Sequence, residues 1–217
     1  MLTIKDLFDL NHTIAADYLS RFTYPWEALA GIQDFILSVG PTLEDYDEVA
    51  PHVWVHKTAT VAPTAYLGGP CIIGPETEVR HCAFIRGSAL VGAGCVVGNS
   101  VELKNVVLFD KVQVPHYNYV GDSVLGYRAH MGAGSITSNV KSDKTLVVVK
   151  GGDERIETGL KKFGAMLGDC VEVGCNSVLN PGSVIGRRAS IYPTSSVRGV
   201  VPADCIFKSA EEIVKRD

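Results

Sequence analysis

A large aliphatic residue returns at every sixth position over a long stretch of this chain: Val55, Val61, Leu67, Ile73, Val79, Ile85, Val91, Val97, Leu103 and Phe109. Four residues after each comes a second set, mostly small: Ala59, Ala65, Cys71, Thr77, Ala83, Ala89, Cys95, Val101 and Val107. The beat resumes as Leu167, Val173, Leu179, Ile185, Ile191 and Val197, followed by Val171, Ser177, Ser183, Ala189, Ser195 and Val201. A strict period of six fits neither a helix nor a single strand. It fits a coil with three flat sides, one hexapeptide per side, so that the large residue points into a narrow prism and the small one fills a tight inward corner. Glycine at the next position (Gly68, Gly74, Gly92, Gly98, Gly168, Gly174, Gly186) suits a corner that needs unusual backbone angles. Stacked coils then pair their strands in parallel, about 4.8 Å apart.

This pattern resembles the hexapeptide-repeat proteins, which implies an all-β, left-handed parallel β-helix; the handedness comes from that resemblance and not from the spacing. The chain is expected to divide into a helical cap over residues 1–50, the β-helix over 51–208 with a hairpin inserted at about 140–166, and a short helix over 209–217. In the first part, Thr3 and Asp6 make a helix start before Leu7, Phe8, Leu10 and Ile14, and Pro25 opens a second helix carrying Trp26, Leu29, Ile32, Ile36 and Val39. An open solenoid end exposes unpaired strands, so this segment is expected to cap the first coil. Between the two blocks of repeats, Leu146–Val149, Gly151-Gly152-Asp153 and Arg155-Ile156-Glu157 read as a hairpin. Ser209 and Glu212 form a capping-box pattern before Ile213 and Val214, hence the C-terminal helix.

Bulk properties narrow the function. A formal charge of −4 over 217 residues offers no basic surface to nucleic acid. No apolar run is long enough to span a bilayer and no signal-peptide core is evident, so a soluble, cytoplasmic chain is expected. The six cysteines (Cys71, Cys82, Cys95, Cys170, Cys175 and Cys205) form no CxxC pair; Cys71 and Cys95 fall on inward positions and read as buried thiols in a reducing compartment.

Chemistry is expected where the beat is broken. Arg86 and Lys104 stand where glycine is usual, eighteen residues apart, and so stack on one corner of adjacent coils. Two cations about 5 Å apart repel by roughly 1–3 kcal/mol near a surface, which makes sense if a phosphate bridges them; equally, both could simply face water. The second break covers 114–137, where the aliphatic arrives early at Val114 and His116-Tyr117-Asn118-Tyr119-Val120-Gly121-Asp122 follows.

Here the chain resembles the acetyltransferase half of the bifunctional bacterial enzyme that makes UDP-N-acetylglucosamine (N-acetylglucosamine-1-phosphate uridylyltransferase / glucosamine-1-phosphate N-acetyltransferase). The residues that carry the resemblance are Gly98-Asn99-Ser100-Val101-Glu102-Leu103-Lys104, His116 to Asp122, and Gly132 to Asn139. It implies acetyl transfer from acetyl-CoA to the amine of an amino-sugar phosphate or sugar nucleotide. His116 would be the general base and Glu102 its orienting carboxylate. Arg86 and Lys104 would hold the sugar phosphate, with Tyr119 and Asn139 lining the acceptor pocket. Ala133 would offer its N–H to the acyl carbonyl, and Cys175 and Lys208 would join it along the coenzyme A site. His130 stands where the family has a sugar-contacting Asn. No metal is expected, a homotrimer is implied, and nucleotidyl transfer is not expected, because these 217 residues hold no counterpart of the family's glycine-rich nucleotide-binding half. Two rivals stay open: a zinc site through His81, His116 and His130, whose spacing differs from that of the zinc-binding β-helices, and a non-catalytic sugar-nucleotide-binding or scaffold β-helix.

Overall fold

The inward residues of each hexapeptide are too apolar to face water on any side, so the chain closes on itself and buries them as a prism. The computed structural model describes residues 1–216 and shows that prism as a parallel β-helix with three faces. On the first face Val53, Trp54 and Val55 lie beside Cys71, Ile72 and Ile73, and these beside Ala89, Leu90 and Val91. The second face runs from Thr60–Val61 through Gln113–His116 and His130–Met131 to Cys205–Phe207. The third carries Tyr66 beside Phe84, Phe84 beside Glu102, Glu102 beside Tyr119, and Tyr119 beside Ile136. From the second coil onward the expected inward aliphatics are buried, with Ile73, Ile85, Val97, Leu103, Leu167 and Leu179 fully so, while Val55, Val61 and Leu67 in the first coil stay half-buried. Burial pushes the Cys71 and Cys95 thiols up to about 12, which leaves them inert.

The register differs from the expected one at a single place. Val106 stacks on Ala89 and Leu108 on Val91, so Leu108, not Phe109, takes the inward position and Val106, not Val107, the small one. The cause is the corner: Gly87 and Ser88 turn the preceding coil, but Asn105 alone, at φ 53°, turns this one. Phe109 therefore stands over Gly92 and packs against Phe8, ring centroids 5.0 Å apart. The early aliphatic at Val114 follows from this shortened corner, and Val114 lies opposite Val97.

The N-terminal helices lie along a side of the prism, not over its end. The outward residues of the first face are also apolar: Trp54, Ile72, Leu90, Val107, Val124, Met166 and Val184 form one registered column. All are at most 4% exposed. Each such side chain gains about 1.5–3 kcal/mol when covered, which draws the 1–42 segment onto them. That segment comprises short helices at Ile4–Leu7 and Ala16–Leu19, then Pro25–Gly31 running into Ile32–Val39. Trp26 stacks on Phe163 at 5.7 Å, and the Asp169 carboxylate accepts the N–H groups of Asp9 (2.7 Å) and Tyr127 (2.9 Å). Part of the first coil's edge is instead closed by the strand Tyr46–Ala50, antiparallel to Val53–His56.

The insert forms a hairpin, Val148–Gly151 against Glu154–Glu157. It folds back beside the same face, with Val147 and Val149 buried against Gly182 and the backbone of Lys150 against Gly199. The expected C-terminal helix is absent. Ser209 and Glu212 close a turn, and Ile213–Lys215 is a strand antiparallel to Cys205–Phe207. Cys205–Phe207 edges the last coil with open N–H and C=O groups, and pairing Ile213 and Val214 with it satisfies more backbone than one helical turn would. Asp217, the last residue of that expectation, lies outside the described residues.

Candidate active site

Two edges of the third face carry the residues singled out from sequence. On the edge joining the third face to the first, Arg86, Lys104 and Gly121 occupy the same place in successive coils, so the two cations do stack. With Gln33, Asn105 and Asp122 they line a cleft of about 370 Å³. Neither cation is bare. Arg86 donates to Glu102 at 2.7 Å, and this hydrogen bond raises the guanidinium above its ordinary value. Lys104 lies 3.4 Å from Asp122, whose carboxylate also accepts from Asn105 (2.9 Å) and Asn139. Asp122 is 4% exposed and is met by Lys104, Asn105 and Asn139. The Arg86–Glu102 pair is open to water and worth little, so an incoming anion can displace it cheaply.

Tyr119 stands on the third face beside Glu102 and accepts from Asn139 at 3.1 Å. Burial raises its phenol above the ordinary value, with Asp122 and Glu102 adding to the effect, so the hydroxyl stays protonated. Tyr119, Asn139 and Lys104 thus belong to one polar network centred on Asp122, with the Arg86–Glu102 pair beside it.

The opposite edge, between the second and third faces, carries His116. Its carbonyl accepts from Gly134, and that of Ala133 accepts from Asn176. His116, Ala133 and Cys175 therefore stack in successive coils along one edge. Two coils on, Lys208 follows Phe207, whose carbonyl accepts from Tyr192, and its ammonium is paired with Glu212 at 2.6 Å. The His116 side chain is exposed, and the N–H of Ala133 donates to no atom among the described residues. A base and a free backbone donor next to each other on one edge, with cations on the other, can serve acyl transfer to an amine that carries a phosphate.

Two expected relationships are not met within the chain. Glu102 gives its carboxylate to Arg86 and makes no hydrogen bond to His116, because Glu102 points out of the third face and His116 sits past the corner before it. The His116 imidazole has no side-chain partner among the described residues. His130 points from the second face, beside Gln113 and Glu172, with its Nδ1 2.8 Å from Glu172, and is apart from the Arg86–Lys104 cleft.

Three residues were not assigned a role from sequence. Asp122 is the hub of the network. Asn118, 2% exposed, accepts the His116 N–H at 3.1 Å and donates to the carbonyls of Gly132 (2.8 Å) and Ser135 (3.0 Å). It fixes the corner on which His116 rides, accepting from a backbone N–H two residues before it. Asn105 ties the cleft to the helical segment through the Leu29 carbonyl at 3.2 Å. No helix among the described residues is long and apolar enough to cross a membrane.

The family model described as GMPPB C-terminal domain matches residues 67–180. A bifunctional sugar-1-phosphate nucleotidylyltransferase/acetyltransferase of Sulfurisphaera tokodaii is 37% identical over 106 residues, which cover 49% of this chain and 26% of that protein. The bifunctional protein GlmU of Methanococcus maripaludis is 28% identical over 204 residues, covering 92% of this chain and 49% of that protein. The chain spans at most about half the length of these two curated relatives. Among solved structures, a hexapeptide transferase family protein of Anaplasma phagocytophilum overlaps with 16% identity and a TM-score of 0.43, over 76% of this chain and 79% of that one.

Proposed function

We propose that this chain, which belongs to the GMPPB C-terminal domain family, is an acetyl-CoA-dependent N-acyltransferase acting on an amino-sugar phosphate or sugar nucleotide. One observation carries the reading: stacked Arg86 and Lys104 border one edge of the third face, while an exposed His116 stacks on the unpaired N–H of Ala133 along the other. The names of the two relatives, both bifunctional and one an acetyltransferase by name, support it.

In this reading the acceptor phosphate displaces Glu102 from Arg86 and settles between Arg86 and Lys104. Tyr119 and Asn139 border the sugar. The amine nitrogen attacks the thioester carbonyl as His116 takes the ammonium proton. The Ala133 N–H stabilises the oxyanion, a contribution of about 3–4 kcal/mol in other acyl-transfer sites. Collapse of the tetrahedral intermediate expels the coenzyme A thiolate, which takes the proton from the imidazolium, while the second excess proton on nitrogen passes to water and leaves the neutral amide. Glu102, once released from Arg86, is free to turn toward His116. Cys175 and Lys208 continue the donor's track along the same edge as Ala133. The exposed Tyr66 and Phe84, 61% and 42% accessible on the third face, support assembly into a homotrimer, which sedimentation checks directly. His130, on the second face, would then reach an acceptor only on a neighbouring copy.

The deciding experiment is coenzyme A release from acetyl-CoA across a panel of amino-sugar phosphates and UDP-amino sugars. Turnover with at least one acceptor is expected, and silence across the panel overturns the reading. A binding-only β-helix, favoured by the lack of a carboxylate on His116, predicts that acceptors bind in calorimetry with no thiol release.

A further inference from the structure

A second cleft, of about 670 Å³, lies between the hairpin and the continuation of the Arg86–Lys104 edge. Along that edge the positions run Arg86, Lys104, Gly121, Ser138, Asn180 and Arg198. Arg198 is therefore four coils from Lys104, about 19 Å at 4.8 Å per coil. The cleft there is lined by Lys141, Lys150, Arg155 and Arg198, against one acid, Asp143. Asp143 is already taken up by Lys141 at 3.3 Å and by Thr145. Lys150, Arg155 and Arg198 have no carboxylate within 4 Å among the described residues.

Lys150 and Arg155 are also direct cross-strand partners in the hairpin. Like charges facing each other across two strands oppose the pairing. Glu157, the acid on the same hairpin face, stands opposite Val148 and forms an ion pair with neither cation. The hairpin is nevertheless seated firmly, because Gly199, at φ 74°, lets the Lys150 backbone approach so closely that a Cβ there would collide with it. Three unpaired cations are thus gathered around one cavity by two closely packed elements. Val140, Val148 and Pro181 add apolar lining beside them. A cavity of this size with an apolar wall and a few convergent charges fits an organic anion better than bare phosphate.

We propose that this cleft binds the diphosphate of a nucleotide, with Lys150, Arg155 and Arg198 on the phosphates and Val140, Val148 and Pro181 against the nucleoside. Coenzyme A and a sugar nucleotide both carry that group. The inference rests on this cleft alone, so it can fail or hold whether or not the chain transfers acetyl groups.

Calorimetry on the full chain with ADP, UDP, coenzyme A and inorganic pyrophosphate tests it. Binding of at least one nucleotide is expected, weakened by about tenfold or more in Lys150→Thr/Arg155→Thr, a pair of exposed changes that suit a strand, and in Arg198→Gln. The nucleotide should still bind Lys57→Ala, which removes one exposed positive charge outside both clefts. Preference for coenzyme A or for UDP identifies the source of the group. No nucleotide binding, equal binding by both cleft variants and the unaltered chain, or pyrophosphate binding as tightly as every nucleotide would each overturn the proposal.

Discussion

The first and third faces of the prism share one backbone and one interior and differ only in what points outward. On the first face the outward column is Trp54, Ile72, Leu90, Val107, Val124, Met166 and Val184, and helices and hairpin cover it. On the third it is Tyr66, Phe84, Glu102, Tyr119, Ile136 and Val178, which stays partly or fully open. The six-residue beat thus builds the scaffold, while one residue per strand decides whether a face becomes a second core or a working surface.

Crossed effects would break this division. The largest expected change is in His116→Ala on the third face's edge, where turnover should fall by about 10²–10⁴-fold with the unfolding midpoint unmoved; turnover at the unaltered rate removes His116 as the base. Next comes Leu90→Ala, 1% exposed on the first face, which should lose roughly 2–5 kcal/mol in urea unfolding. Phe84→Ala on the third face should lose far less in the same measurement, and parity between the two would erase the distinction. Arg86→Ala should raise KM for a phosphorylated acceptor by about tenfold and leave KM for acetyl-CoA within about twofold; equal shifts would deny Arg86 its phosphate.

The smallest effect sharpens how the helical cover is fastened. Burial raises the Asp169 carboxyl above its ordinary 3.8, outweighing the Asp9 and Tyr127 N–H groups and Arg187. The folded chain therefore holds that proton more tightly than the unfolded one. The stability this adds is complete below the ordinary value and is lost as pH rises through the raised one. Replacing it, as Asp169→Asn, should flatten the fall of stability above about pH 4, and an unchanged slope in urea titrations would assign the pH dependence elsewhere.

The interior was legible in the sequence because its spacing is strict and each inward position tolerates few residue types. The outward column of the first face was written there too, as an apolar residue between the small and large inward ones on every third strand, but the inward beat alone does not show it. That is why the helices were expected at the end of the prism and not on its side. Ser209 and Glu212 matched a local helix signal, which lost to the long-range pairing open to Ile213 and Val214. The stacking of Arg86 on Lys104 could be counted from the period. The placement of Glu102 against Arg86 could not, since it depends on which way a side chain turns at a corner. Asp122 ends the His116-to-Asp122 motif, yet its role as hub needs Lys104 and Asn105 from the coil before and Asn139 from the coil after.

The reversed strands Tyr46–Ala50 and Ile213–Lys215 have a consequence for how copies can meet. Nothing intrinsic to a repeating coil limits its growth, and two such molecules placed end to end could continue each other's hydrogen bonding into a filament. A strand of opposite polarity at either terminus breaks that continuity on one side, so self-association is steered toward the flanks of the prism.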